Sequence, residues 1–161
     1  MTTMTTELFE PAITDANAWL DDICLELGWA DRFLALRALR SSLQALRDRL
    51  SPEQNAQLAA QLPTMIRGIY YEAWQPKHAD FPVRNLDTYL DSIAWNFRSD
   101  EDDFEIRDVV CAVYRVLARR ITPGERQKLL ANLPSPLLSL WEQALFRFET
   151  LNPTDGGFQR V

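Results

Sequence analysis

Histidine is almost missing from this 161-residue chain, in which His78 is the single one. Catalytic dyads and most zinc sites rely on imidazole, with cysteine as the usual partner. The two cysteines, Cys24 and Cys111, form no CxxC pair and no local Cys/His cluster, so no metal, haem or other cofactor is expected. Both lie on the apolar side of a helical pattern and read as buried, reduced thiols. A Cys24–Cys111 bridge, or a cysteine nucleophile served by His78, is the alternative. Glycine numbers only 5, isolated except for Gly156-Gly157. There is no Walker loop, no GxGxxG, no GxSxG and no HExxH. No apolar run approaches the ~20 residues that a membrane span needs. The stretch Met1 to Glu7 lacks the basic and apolar regions of an export signal. A cytoplasmic location and no contact with membrane are therefore expected. Lysine is scarce as well, limited to Lys77 and Lys128. The formal net charge of −6 opposes nucleic acid and anionic membranes at long range, and no nucleic-acid partner is expected.

What the chain does have is leucine, alanine and arginine at helical spacing. Few glycines and few β-branched residues favour helix. Trp19, Leu20, Ile23, Cys24 and Leu27 predict a first helix from about Asp15 to Leu27, with Thr14 or Asp15 as cap and Gly28 as stop. Leu36, Leu39, Leu43, Leu46 and Leu50 make one apolar stripe on a second helix from about Asp31 to Leu50. Arg37, Arg40, Gln44 and Arg47 form a polar stripe beside it. Ser51-Pro52-Glu53-Gln54 is a capping box that opens helix three, and Pro63 ends it. Met65, Ile66, Ile69, Tyr70 and Ala73 mark helix four, which stops near Trp74. Residues 75–85 hold two prolines and no helical period, and read as a linker. Four more helices follow: one on Leu86, Tyr89, Leu90, Ile93 and Phe97, and one running from Ile106 to Ile121. The third opens at the capping box Thr122-Pro123-Gly124-Glu125, and the fourth opens at Ser135-Pro136.

The two sets match at an offset of 71 residues. Ser51-Pro52 falls on Thr122-Pro123, Leu58 on Leu129, and Leu62-Pro63 on Leu133-Pro134. Leu39 falls on Val110, Leu46 on Leu117, Leu50 on Ile121 and Tyr70 on Trp141. With one residue of slip, Trp19-Leu20 and Ile23 meet Tyr89-Leu90 and Ile93. Cap, proline break and apolar register agree together, which predicts duplication. The expected fold is all-α, an eight-helix bundle of two tandem four-helix repeats related by a pseudo-twofold. The first repeat spans 1–74, the linker 75–85, the second repeat 86–150 and a flexible tail 151–161. Each repeat is too small to stand well alone, so the two should fold as one body.

Within Phe33–Trp74 the strings RALR, LRDRLSPE, LAAQLP and RGIYYEAW resemble those of the bacterial family known as domain of unknown function 2267. The likeness is densest over helices two to four, and the second half resembles a more divergent copy. It implies a small helical cytoplasmic protein. It implies no activity, because the family has no established reaction, cofactor or catalytic residues.

Three constellations remain. Asp100-Glu101-Asp102-Asp103, with Glu105 and Asp108, lacks the spacing and glycine of a calcium loop and reads as a helix start. Arg32, Arg37, Arg40, Arg47 and Arg49 could bind phosphate, but are read as a solvated helix face diluted by Asp31 and Asp48. The segment Arg67 to Trp74 places Tyr71 and Trp74 three apart and Arg67 four before Tyr71, on one helix face, with Gly68 leaving room for another helix. Arg and aromatic residues anchor interfaces. Arg67, Tyr71 and Trp74 are thus the candidate interaction face, and the alternative is that the rings pack between the repeats. The favoured function is a non-enzymatic module for a protein partner or a second copy of itself. A carrier of a small apolar ligand between the repeats is one alternative, and a carboxylate-based enzyme is another.

Overall fold

The computed structural model describes residues 2–76, 83–97 and 104–151, without the side chains of 2–6 and 147–151. His78, most of the linker, the acidic run 100–103 and the tail from Asn152 lie outside the described residues. The fold is all-α. Among the described residues there are eight helices and no strand: α1 Thr2–Leu27, α2 Arg32–Arg47, α3 Pro52–Ala59, α4 Thr64–Tyr71, α5 Leu86–Ala94, α6 Ile106–Arg120, α7 Pro123–Ala131 and α8 Ser135–Leu151. A 3-10 turn, Trp95–Phe97, extends α5. No described helix is long and apolar enough to cross a membrane.

Local chemistry sets most boundaries. Gly28 takes φ +68, and the Trp29 N–H returns to the Cys24 carbonyl at 3.0 Å, which closes α1 with a left-handed stop. Asp31 caps α2 by accepting from Phe33 N and Leu34 N. Ser51 and Gln54 complete their reciprocal box at α3. Asn85 caps α5, although the sequence pattern places it in the linker, and Val83 just before it is buried.

Four expectations need correction. Helix α1 does not start at Asp15, but continues back through Pro11 to Thr2. Leu8, Phe9, Ala12 and Ile13 carry the helical spacing across the proposed cap. The box at Thr122 is only half made. Thr122 accepts from Glu125 N, but its own N–H donates to Gln61 Oε1 at 3.1 Å, so a side chain from the end of α3 takes the place of Glu125. Cys24 is half-buried rather than buried, while Cys111 is buried, and the two form no disulfide. The arginines of α2 are only in part a solvated face, since Arg32 and Arg40 are about half exposed but paired, and Arg47 is buried. Arg32 forms a two-pronged pair with Asp21, and Arg40 pairs with Glu72.

Helix α6 is the centre of the core. Every residue from Val109 to Ala118 is buried, and α1, α2, α5 and α8 all pack on it. A helix covered on all sides carries no solvent face. Arg115 therefore sits inside, and α1 supplies its counter-charge. Arg115 Nε meets Glu26 Oε2 at 2.8 Å, and Arg119 Nη1 meets Glu26 Oε1 at 2.6 Å. Arg120, at the end of α6, pairs with Asp22 and lies over the Trp19 ring at 5.6 Å.

Candidate interaction face

Helix α4 turns Ile66 and Tyr70 into the core and leaves Met65 and Arg67 outward. The Arg67 side chain folds back over the end of α3. Nε donates to the Ala59 carbonyl at 2.8 Å, and Nη2 donates to the Leu62 carbonyl at 2.9 Å and the Ala60 carbonyl at 3.5 Å. Ala59 O also accepts from the Leu62 N–H at 3.0 Å, and Arg67 adds a side-chain cap to these carbonyls at the end of α3.

Trp74 is not on the helix. Helix α4 stops at Tyr71 because two α2 side chains hold its last carbonyls. Arg47 Nη1 donates to Tyr70 O at 2.9 Å and to Glu72 O at 2.6 Å, and Gln44 Nε2 donates to Ile69 O at 2.9 Å. The Glu72 carboxylate is drawn to Arg40 Nε at 3.1 Å. Ala73 then adopts φ +55, the left-handed region that an L-residue enters only at a cost. The chain doubles back, and the Trp74 N–H donates to Tyr71 O at 3.1 Å. The rings still meet. Tyr71 lies 5.3 Å from Trp74 and 5.3 Å from Tyr70, edge to face in both pairs. Both Tyr71 and Trp74 are half-buried, and Tyr71 also rests on the core. A Cβ on Gly68 would meet nothing within 4 Å among the described residues, so no described element uses the room that glycine leaves.

The same Arg40, Gln44 and Arg47 side chains line a hollow of about 270 Å³ between α2 and α5, together with Asp48, Ser92 and Asn96 among others. Its walls are mostly polar, so it suits a polar side chain better than an apolar ligand. Below it, Asn55 is fully buried. Its Nδ2 donates to the carbonyls of Arg47 and Leu50, and its Oδ1 accepts from the Tyr70 hydroxyl. Burial pushes the Tyr70 hydroxyl well above its ordinary ionisation range. Among the described residues no Asp or Glu is buried, and no three metal-ligating side chains gather.

The sequence pattern singles out Tyr71 and Trp74, but it reads Arg47 as part of a solvated stripe and does not mark Asn55. Arg47 and Asn55 each occupy a core register, Arg47 between Leu43 and Leu50, and Asn55 one turn before Leu58 and Ala59. A polar residue at an apolar position is the signal, because a buried polar group must find a partner.

The family model described as "Uncharacterized conserved protein (DUF2267)" matches residues 16–143, and the chain belongs to that family. In the comparison with curated proteins, none matches it.

Proposed function

We propose that this family member is a non-enzymatic interaction module that takes a protein partner, with Tyr71 and Trp74 as anchor. The observation that carries the reading is Ala73. It is the one non-glycine residue at positive φ among the described residues, and it lies between the pinned Glu72 and Trp74. Strain of this kind, about 1 kcal/mol or more, persists where the surroundings over-determine it, and it clusters at binding sites. Here it is held by Arg40, Gln44 and Arg47, which also line the polar hollow. A partner's apolar side chain would sit on the rings while a polar one enters the hollow. Arg67 contributes indirectly, by fixing α3 against α4.

The test is a photo-cross-linking residue at Gln75, which is exposed next to the rings. A discrete protein adduct that Trp74→Ala abolishes, without loss of thermal stability, is the expected result. Loss of stability in Trp74→Ala and Tyr71→Ala, with no adduct from the parent, would make the rings core and end the proposal. Arg67→Ala serves as the structural control and is expected to lower stability by about 1 kcal/mol.

We also propose that the body is a duplicated unit, two four-helix repeats that fold together. The buried pairs Leu39/Val110, Leu43/Tyr114, Leu46/Leu117, Leu50/Ile121, Ile66/Leu137 and Tyr70/Trp141 support it, since each holds the 71-residue offset. Asn55 donates to Arg47 O, and Arg126, 71 positions on, donates to Ala118 O, the matching carbonyl. Part of the helix packing supports the same reading, although the packing of α1 on α4 has no equal in α5 on α8. The helices α2 and α3 meet their own counterparts α6 and α7, and α1 on α6 answers α5 on α2.

A further inference from the structure

The core-facing stripe of α1 does not stop where the bundle stops. Trp19, Leu20 and Ile23 are buried, and the same line continues back through Ala16, Ile13, Ala12, Phe9 and Leu8. Burial begins at Ala16. From Glu7 to Asp15 only Ala12 is even half-covered, and Leu8, Phe9 and Ile13 are 78, 62 and 38 % exposed. Arg120, the last residue of α6, reaches α1 at the Ala18 carbonyl and at Asp22, beside the point where α1 emerges. Roughly two and a half turns thus stand clear of the body with their apolar side aligned. Scattered exposed leucines need no explanation, whereas an aligned stripe marks a contact surface. The family match begins at residue 16, so the emergent turns lie outside the matched stretch.

Charge indicates what covers the stripe. Glu7, Glu10 and Asp15 lie on the same turns, and no Lys or Arg occurs before Arg32. A second α1 laid on the first would bring carboxylates together with no cation from either helix, and an anionic membrane would be repelled in the same way. We propose that the turns Glu7–Asp15 dock an amphipathic helix of another protein. Its apolar side would meet Leu8, Phe9 and Ile13, and its lysines or arginines would meet Glu7, Glu10 and Asp15. This is helix-on-helix recognition with flanking charges setting partner choice. The strip is short, so the contact belongs to the weak, transient class.

The test uses the full chain and a labelled synthetic helix of leucine and lysine, with a second peptide carrying glutamate at every lysine position. Fluorescence anisotropy should report binding of the lysine peptide only, weakening with salt. The double variant Leu8→Ser/Phe9→Ser should raise the Kd about tenfold or more at unchanged melting temperature. Glu10→Gln should flatten the salt dependence. Equal binding of both peptides, or parent-like binding by the double variant, overturns the proposal. Sedimentation velocity of the unliganded parent should give a monomer. A parent dimer that the double variant dissolves would assign the stripe to a second copy and overturn it. Tighter binding by a chain ending at Leu151 would assign the stripe to the chain's own last residues, with the same consequence.

Discussion

Arg115 and Glu26 stand 89 positions apart in sequence and meet at 2.8 Å, with side chains only 5 and 14 % exposed. Helix α6 buries the guanidinium, and α1 supplies the carboxylate, so one ion pair ties the N-terminal helix to the central one. Glu26 also holds Arg119, which makes it the hinge of a three-residue network. Glu26→Ala leaves Arg115 buried without its charge partner and is expected to cost about 3 kcal/mol. Urea denaturation measures it. A loss within the few tenths typical of a surface pair would show that water replaces the carboxylate.

Two glycine-to-alanine changes should have opposite signs. At Gly28 the backbone is left-handed and no atom lies within 4 Å of an added Cβ, so the substitution meets only backbone strain. Gly28→Ala should lower stability by about 1 kcal/mol. At Gly68 the backbone is helical and the space is equally open. Gly68→Ala should raise stability by about 0.5–1 kcal/mol, because alanine loses less entropy on entering a helix. Paired thermal melts read both. A destabilised Gly68→Ala variant would mean that something packs against that position.

Arginine at position 47 should not be replaceable by lysine. One guanidinium serves Asp48 Oδ1 at 2.9 Å and the carbonyls of Tyr70 and Glu72 at 2.9 and 2.6 Å. An ammonium lacks the planar fork and cannot reach all three. Arg47→Lys is expected to cost about 2 kcal/mol and to release the turn at Ala73. Quenching of Trp74 fluorescence, read in a variant with the other four tryptophans replaced, should become easier at the same time. Unchanged quenching would mean that Arg40 and Gln44 hold the turn without Arg47.

Alkali should unfold the protein cooperatively. Burial raises the hydroxyls of Tyr70, Tyr89 and Tyr114 above their ordinary range, and Tyr89 and Tyr114 share a hydrogen bond in the core. In the unfolded chain these groups ionise near ~10. Above that pH the unfolded state binds fewer protons than the folded one, so stability falls as pH rises. It is fully present below that value. Each buried hydroxyl contributes a slope of about 1.4 kcal/mol per pH unit. Tyrosinate absorbance and helical circular dichroism should therefore change together. Ionisation of these three hydroxyls while the helices persist would contradict their burial.

Much of the architecture was legible because it is local. The leucine stripe of α2, the Ser51 box, the breaks at Pro63 and Pro134 and the glycine stop at Gly28 each depend on residues within a turn or two of one another. Period and capping chemistry determine such features, and they determined the all-α class and the second to eighth helices to within a few residues.

Tertiary structure decided which polar groups go inside and where helices yield to neighbours. Helical spacing sets Arg47 on a polar stripe, yet Arg47, Asn55 and Arg115 are all buried, because only the pairing of distant segments supplies the carbonyls and the carboxylate that let them stay there. Trp74 was expected on α4, yet the pull of α2 side chains on three carbonyls ends that helix at Tyr71. The first helix was expected to begin at its cap, yet its stripe runs past Ala16 into turns that the bundle does not cover. A sequence specifies the face a side chain lies on, and packing between remote segments specifies what that face meets.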